Sequence, residues 1–197
     1  MVHTAAVTFT EEQERAEPVR VFDVNTGRTL NLLEAAPRRG LQRFVYVSTG
    51  GLYGPALAEP ALDEAMPLLS LFIHQVATIA SEQFLERVAA LTGRNVRIGR
   101  LGTTYRPMER ATPSRSNMSA VHRAVNLAAA GGGQLRVTGT DFARDFCQVD
   151  DARETFWQLA TSYAQHHRVR NVGAPQAAPR REALDALAGA VPTFEGH

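Results

Sequence analysis

Short runs rich in β-branched and aromatic residues alternate along this chain with longer segments whose apolar residues recur at helical spacing. That alternation restricts the fold more than any other feature. Arg43-Phe44-Val45-Tyr46-Val47-Ser48, Val96 to Leu101 and Val169 to Val172 read as strands, with a shorter run at Leu135-Arg136-Val137. Val2-His3-Thr4-Ala5-Ala6 reads as a short buried strand that opens almost at the first residue. Between these runs lie helical patterns. Val19 to Ala36 carries Val21, Val24, Leu32 and Leu33 on one face, with Pro18 at a plausible first helical position and Pro37 and Gly40 as stops. A second pattern runs from about Leu69 to Leu91 with Phe72, Val76, Ile79, Leu85 and Val88 as its stripe and Gly93 as its stop. Shorter helices are predicted from Ser119 to Ala130, ended by Gly131-Gly132-Gly133, and from Glu182 to Ala190. Another opens at Asp151, with Glu154 three residues on in a box-like arrangement. Pro55 to Pro67, with Asp63 and Glu64, and Thr103 to Asn117 read as loops.

Strand–helix alternation of this kind is the pattern of a parallel α/β sheet. Such sheets bind ligands beyond the carboxyl ends of their strands, so the segments after Ala6, Ser48 and Leu101 should line any site.

Composition narrows the chemistry. The chain has 197 residues, 44% hydrophobic and 21% charged, enough apolar material for one core and too much for a disordered chain. A net charge of +1 leaves no electrostatic footprint for nucleic acid or an acidic membrane surface. No run approaches the ~18 consecutive apolar residues of a membrane span, and no basic start precedes a long apolar stretch. The single cysteine, Cys147, excludes an internal disulfide framework and suits a reducing compartment, so a cytoplasmic location is expected. All 21 basic residues are arginine. Without lysine there is no Schiff-base nucleophile, no phosphate-loop ammonium and no dyad that needs one.

Taken in order, Val2-His3-Thr4-Ala5-Ala6, Asn25 to Ala36, Phe44 to Thr49 with Leu52-Tyr53-Gly54, Arg100 to Tyr105, Arg144-Asp145-Phe146 with Val149-Asp150-Asp151-Ala152, and Asn171-Val172-Gly173 together resemble the extended short-chain dehydrogenase/reductases, the NAD(P)-dependent epimerase/dehydratase group that includes UDP-galactose 4-epimerase. Val2-His3-Thr4-Ala5-Ala6 is similar to that family's fourth strand, and Asn25 to Ala36 to the helix after it, with Arg28 where a glycine is usual. Phe44 to Thr49 followed by Leu52-Tyr53-Gly54 resembles the strand and turn that carry the catalytic Ser/Thr, a role that falls on Thr49. Arg100 to Tyr105 with Pro107, Arg144-Asp145-Phe146 with Val149-Asp150-Asp151-Ala152, and Asn171-Val172-Gly173 match later family segments. The resemblance implies a partial doubly wound (Rossmann-like) α/β fold lacking its first half. About three parallel strands with flanking helices would be followed by a small C-terminal substrate lobe. Residues 1–197 would form one incomplete NAD(P)-binding domain, with about 1–105 as its core and about 106–197 mixed core and lobe.

The family's glycine-rich strand–turn–helix, which holds the cofactor pyrophosphate at a helix N-terminus, has no counterpart here. Gly131-Gly132-Gly133 follows a helix and precedes a strand, the reverse of the required context. The Tyr/Lys pair is also missing. Aligning Glu82 and the Thr49 turn places His74 at the Tyr position and Thr78 at the Lys position.

By resemblance, the function is NAD(P)-dependent epimerisation, dehydration or reduction of a nucleotide sugar or related small carbonyl substrate, impaired in this chain. NAD or NADP is the implied cofactor, with Ala5, Ala6, Asn25 and Leu101 at its positions and its binding weakened by the missing turn. Thr103 and Arg144 fall at substrate-binding positions. The alternative is a non-catalytic derivative that binds a ligand or partner.

Each candidate has a bland counterpart. Thr49 either donates to a substrate oxygen or caps its own turn. His74 either moves protons near neutrality or remains as a helix histidine. Arg144 either grips a diphosphate or pairs with Asp150 or Asp151. Arg106, Arg110 and Arg115 read as a solvated face. Cys147 and Trp157 read as core, and His166-His167 lacks a partner at metal-ligand spacing.

A first strand without its usual neighbour leaves backbone groups unpaired. Poor solubility alone, or pairing with a second copy or a partner chain across that edge, is expected. A well-behaved monomer that unfolds cooperatively would count against it.

Overall fold

Parallel strands need a crossover between them, and the helical segments of this chain supply one after each strand of its main sheet. The computed structural model describes residues 1–59, 61–105, 109–112, 118–130, 133–135, 143–162, 167–174, 177–190 and 194–196. In chain order the elements are β1 (Val2–His3), α1 (Glu11–Ala16), α2 (Pro18–Arg38), β2 (Arg43–Thr49), a 3-10 stretch (Gly50–Ala58), α3 (Ile73–Thr92), β3 (Asn95–Leu101), β4 (Thr103–Tyr105), α4 (Ala120–Ala129), β5 (Gly133–Leu135), β6 (Ala143–Arg144), β7 (Phe146–Gln148), α5 (Val149–Thr161), β8 (Val169–Val172), β9 (Ala178–Pro179), α6 (Arg180–Ala190) and β10 (Phe194–Gly196). Four strands form a parallel sheet in the order β1-β2-β3-β8. Val2 stands opposite Val45, Thr49 opposite Leu101, and Leu101 opposite Val172. The fold is therefore the expected α/β class with a parallel sheet, built from four strands rather than about three. Three two-stranded pairs accompany the sheet: β4 with β7 and β5 with β10, both parallel, and β6 with β9, antiparallel.

Alternation along β2 decides the layering, because successive side chains of a strand point to opposite faces. Phe44 and Tyr46 join Leu33 and Ala36 of α2, Leu85 and Ala89 of α3, and Val96 and Ile98 of β3 in one core. Val45 faces the other way, into a cluster with Cys147, Ala152, Phe156, Leu159 and Val172, so α5 covers the second face. Cys147 is core, as its residue type suggested. Trp157 is not. The buried face of α5 runs through Ala152, Phe156 and Leu159, and Trp157, one residue off it, is 63% exposed.

Several boundaries differ from the sequence reading for identifiable reasons. β1 ends at His3, and Val2 is exposed. Pro37 does not stop α2. It deprives the Leu33 carbonyl of its helical donor, but Arg94 Nη1 donates to that oxygen at 3.4 Å and the helix continues to Arg38. Gly40, at φ +68°, lies just beyond its end. The buried face of α2 also differs, since Leu32 is exposed and Asn25, Thr26 and Thr29 are buried with Val21, Leu33 and Ala36. α3 starts four residues later than predicted, and its buried stripe is Ala77, Ser81, Glu82, Leu85 and Ala89, leaving Phe72 and Val76 exposed. These small side chains let α2 approach, with Thr26 Oγ1 donating to the Ala77 carbonyl at 3.0 Å. The Asp151–Glu154 box does not form. α5 opens at Val149, and its cap is the Gln148 side chain, which accepts from the Asp150 N–H. Thr103 to Tyr105, expected as loop, is a strand. Arg106, Pro107, Pro113, Arg115, Gly131, Gly132, Arg136, Val137 and His166 lie outside the described residues.

At Gly99 the sheet and α5 touch without room for a side chain. A Cβ there would stand 2.4 Å from Phe156 Cε1 and 3.1 Å from Val172 Cγ2. Gly99→Ala is expected to lower the unfolding free energy by about 1–3 kcal/mol, read as a lower urea midpoint at unchanged slope.

Candidate functional site

The carboxyl ends of β2, β3 and β8 are joined by buried polar groups. Glu82, 1% exposed on α3, accepts from Arg100 Nη2 at 2.8 Å and from Arg100 Nε at 3.2 Å to each oxygen. Ser48 Oγ donates to the same carboxylate. Arg100 Nη1 continues to Tyr53 Oη at 2.9 Å and to the Glu64 carbonyl at 3.0 Å. Tyr53 in turn donates to Asn171 Oδ1 at 2.7 Å, and Asn171 Nδ2 reaches the Leu62 carbonyl at 2.8 Å. Burial alone would lower the Arg100 guanidinium, but the bonds to Glu82 and Tyr53 outweigh it and hold Arg100 above its ordinary value. Burial pushes the Tyr53 hydroxyl up. This network fixes α3 and the Tyr53 turn against the strand ends.

Thr49 ends β2 in an extended conformation, and its Oγ1 accepts from the Gly51 N–H at 3.1 Å. The hydroxyl thus caps its own turn. Gln75 Nε2 donates to the Gly51 carbonyl at 3.2 Å, which ties that turn to the head of α3.

The head of α3 is capped from outside. Phe72 at the cap position has no acceptor, so the first N–H groups of the helix need another partner. Glu14 of α1 provides it, accepting from the N–H of Ile73 at 3.1 Å and of His74 at 3.2 Å. The same carboxylate lies 2.7 Å from His74 Nδ1. The Glu14 side chain is 7% exposed and the His74 side chain 24%. Phe72 stacks on the imidazole, 5.5 Å between centroids and 15° between planes. Burial would raise the Glu14 carboxyl, but its bonds to the His74 side chain and to the His74 and Ile73 N–H groups prevail and hold it below its ordinary 4.5. Thr78 Oγ1 donates back to the His74 carbonyl at 2.9 Å, so it braces the helix. Glu14 did not emerge as a candidate from the sequence. It is an acid within an acidic segment, and its partners lie some 60 residues downstream.

The other candidates form two further groups. Ala5 and Ala6 are exposed and border a cavity of about 410 Å³ shared with His3, Val7, Val24, Arg28, Asn31 and Leu32. Asn25 stands behind them, accepting from the Val7 N–H at 2.9 Å and donating to the Val7 carbonyl at 3.0 Å. Leu101 packs against the α5-side core. Thr103 and Arg144 meet at Asp145. The Thr103 N–H donates to Asp145 Oδ1 at 3.3 Å, while Arg144, whose Nη1 donates to the Ala143 carbonyl at 2.9 Å, places its charge beside that carboxylate. Asp145 sits among glycines. A Cβ on Gly102 would lie 2.0 Å from Asp145 Oδ2, and one on Gly173 2.5 Å. Burial raises the Asp145 carboxyl against the opposing Thr103 bond and Arg144 charge. Burial, with the Asp151 and Asp145 charges, also pushes the Cys147 thiol up, which suits a core residue and not a nucleophile.

Comparison with known proteins matches residues 1–173 to the NAD dependent epimerase/dehydratase family. The chain is 28% identical to GDP-6-deoxy-D-mannose reductase of Pseudomonas aeruginosa over 197 residues, covering 95% of this chain and 62% of that protein. The fold superposes on Thermus thermophilus UDP-glucose 4-epimerase in complex with NAD, with TM-score 0.79 and 25% identity over 100% of this chain and 63% of that one. It also superposes on RMD from Pseudomonas aeruginosa complexed with NADPH, with TM-score 0.82 and 25% identity over 100% of this chain and 68% of the other. No helix among the described residues is long and apolar enough to cross a membrane.

The lowered Glu14 carboxyl has a consequence for stability. A carboxyl held below its unfolded value adds stability that is complete above that value and is lost as pH falls through the folded one. Wild-type stability should therefore decline below about pH 5, and Glu14→Gln should flatten that decline, measured by urea unfolding across the acid range.

Proposed function

The chain belongs to the NAD dependent epimerase/dehydratase family, and from that membership we propose that it serves the substrate-facing side of a nucleotide-cofactor enzyme acting on a nucleotide sugar or related carbonyl compound, with His74 as its proton-transfer group. The observation that carries this reading is the placement of His74. It lies on the first turn of α3, held by Glu14, one residue from the Gln75 side chain that binds the Thr49 turn. An imidazole exchanges protons near neutrality without help from an ammonium, which a chain lacking lysine requires.

The remaining roles follow from what each group is already bonded to. Thr49 Oγ1 accepts from Gly51, and a hydroxyl that accepts still has its own proton to donate, here to a substrate oxygen. Thr78 holds the first turns of α3 and takes no part in proton transfer. Arg144 would receive the diphosphate through its guanidinium, with Thr103 beside it across Asp145.

NAD or NADP is the cofactor this reading implies, and the described residues fit one side of it. Ala5 and Ala6, small and exposed on the 410 Å³ cavity, would border the ring, with Asn25 holding the adjoining Val7 backbone and Leu101 closing the strand end. When bound, the nicotinamide would supply hydride acceptance and return. Among the described residues β1 pairs with β2 alone, and Val2 is exposed, so we place a companion chain or second copy along that edge.

The test is fluorescence titration of the purified chain with NADH and NADPH, followed by assay on nucleotide sugars with the wild type, His74→Ala and Thr49→Val. Saturable binding is expected, with turnover reduced about 10²-fold by either substitution. Binding without turnover would favour the ligand-binding module. Turnover indifferent to His74→Ala would remove the proposed base.

A further inference from the structure

We infer that Glu14 is a positioning residue for His74: its carboxylate fixes the proton on Nδ1 and leaves Nε2 as the basic atom of the neutral ring. The inference rests on the reading of His74 as the proton-transfer group, and it deepens that reading by naming what sets the ring's chemistry.

The argument starts from hydrogen-bond inventory. An ionised carboxylate only accepts, so a ring nitrogen 2.7 Å from Glu14 Oε1 must carry the proton. A neutral imidazole carries one proton, and the other nitrogen then holds the lone pair. A free imidazole in water favours the opposite tautomer, so the environment has to impose this one. Two further bonds keep the carboxylate in place. Oε2 accepts from the Ile73 N–H and Oε1 from the His74 N–H, both on the first turn of α3, where the helix end itself favours a negative group. The Phe72 ring holds the imidazole plane from one side.

The element that brings Glu14 has no other buried residue. α1 is six residues long, with Glu11, Glu12 and Arg15 on its exposed sides, and Glu11 pairs with Arg15. Thr10 and Gln13 close its start through a capping box, which orders the turn but does not attach it to the sheet. The Glu14 carboxylate is thus the attachment of α1 at the head of α3. Other ionisable groups of this segment turn away, with Glu17 paired to Arg20. The neutral neighbours of His74 are Phe72, Gln75 and Thr78, of which Gln75 bonds Gly51, Leu71 and Phe72, and Thr78 the His74 carbonyl.

The tautomer can be read directly. Long-range proton–nitrogen correlation on the full-length, imidazole-labelled chain, recorded at a pH where His74 is neutral, should show a protonated Nδ1 and a bare Nε2 in the wild type. Glu14→Ala should move the ring toward the Nε2-protonated form. A carboxylate that merely capped α3 would leave the ring in mixed tautomers in both proteins. A wild-type ring protonated on Nε2, or a Glu14→Ala spectrum unchanged from wild type, overturns the inference. The wild-type spectrum decides alone if Glu14→Ala fails to fold. Where turnover is found, Glu14→Ala should lower kcat roughly 10²-fold with KM little changed. Absence of turnover with Nδ1 protonated would sink the proposed function and leave the positioning role standing. Turnover with Nε2 protonated would do the reverse.

Discussion

A carboxylate buried on α3 cannot stand alone in an apolar interior, because an unpaired charge there costs several kcal/mol. Glu82 is matched by Arg100, through Nε and Nη2 together, with Ser48 completing its acceptor sites. Three elements are thereby locked at one point: α3 carries Glu82, β3 carries Arg100, and β2 carries Ser48. The lock sets how far α3 is displaced along the sheet. His74 lies eight residues upstream on the same helix, a distance of about 12 Å, so the position of the imidazole relative to the Thr49 turn is inherited from the Glu82–Arg100 pair. The Arg100–Tyr53 and Tyr53–Asn171 bonds carry the constraint on to the turn itself and to β8.

What the sequence disclosed and what it withheld divide along physical lines. Strand runs and long helices are legible because each is a contiguous local pattern whose period repeats along the segment. The family resemblance was legible because its segments, from Val2-His3 to Asn171-Val172-Gly173, keep their order. The alignment through Glu82 and Thr49 sets His74 at the family's Tyr position, within a helix read from about Leu69; the structure begins α3 at Ile73 and so has His74 on its first turn. Failures came where a distant partner replaces a local rule. Pro37 reads as a stop until Arg94 fills the carbonyl it orphans. Trp157 reads as core until Phe156 and Leu159 define the buried face. The buried stripes of α2 and α3 are partly polar or small, Thr26 against Ala77 and Ser81 beside Glu82, so a search for apolar periodicity slides off them by a residue. Glu14 is the extreme case, since nothing near it in sequence marks it out among the acids of its segment.

The Thr49 turn and the Thr103–Arg144 group lie side by side at the strand ends. Thr49 pairs in register with Leu101, so the β2 turn and the segment leading to Thr103 leave the sheet side by side. Gly50, the first residue of that turn, would place a Cβ 3.5 Å from the Leu101 carbonyl and 3.7 Å from Asp145 Oδ2. The turn that carries the Thr49 hydroxyl therefore abuts the carboxylate around which Thr103 and Arg144 meet. The glycines at 102 and 173 permit this. Asp145 occupies the volume where their side chains would be, and no other residue type there leaves the carboxylate in place.

Such an arrangement divides labour between rigid and attached parts. Thr49, Thr103 and the Asp145 carboxylate are held by strand ends and by the backbone, and their geometry comes with the sheet. His74 is different, because the carboxylate bonded to its Nδ1 belongs to α1, a short helix outside the sheet. Acid that protonates Glu14, or a substitution that removes it, would loosen α1 and free the imidazole while leaving the Glu82–Arg100 lock intact. On the function proposed for His74, a chain without lysine would rely on an imidazole and a buried acid joined by a contact spanning some 60 residues.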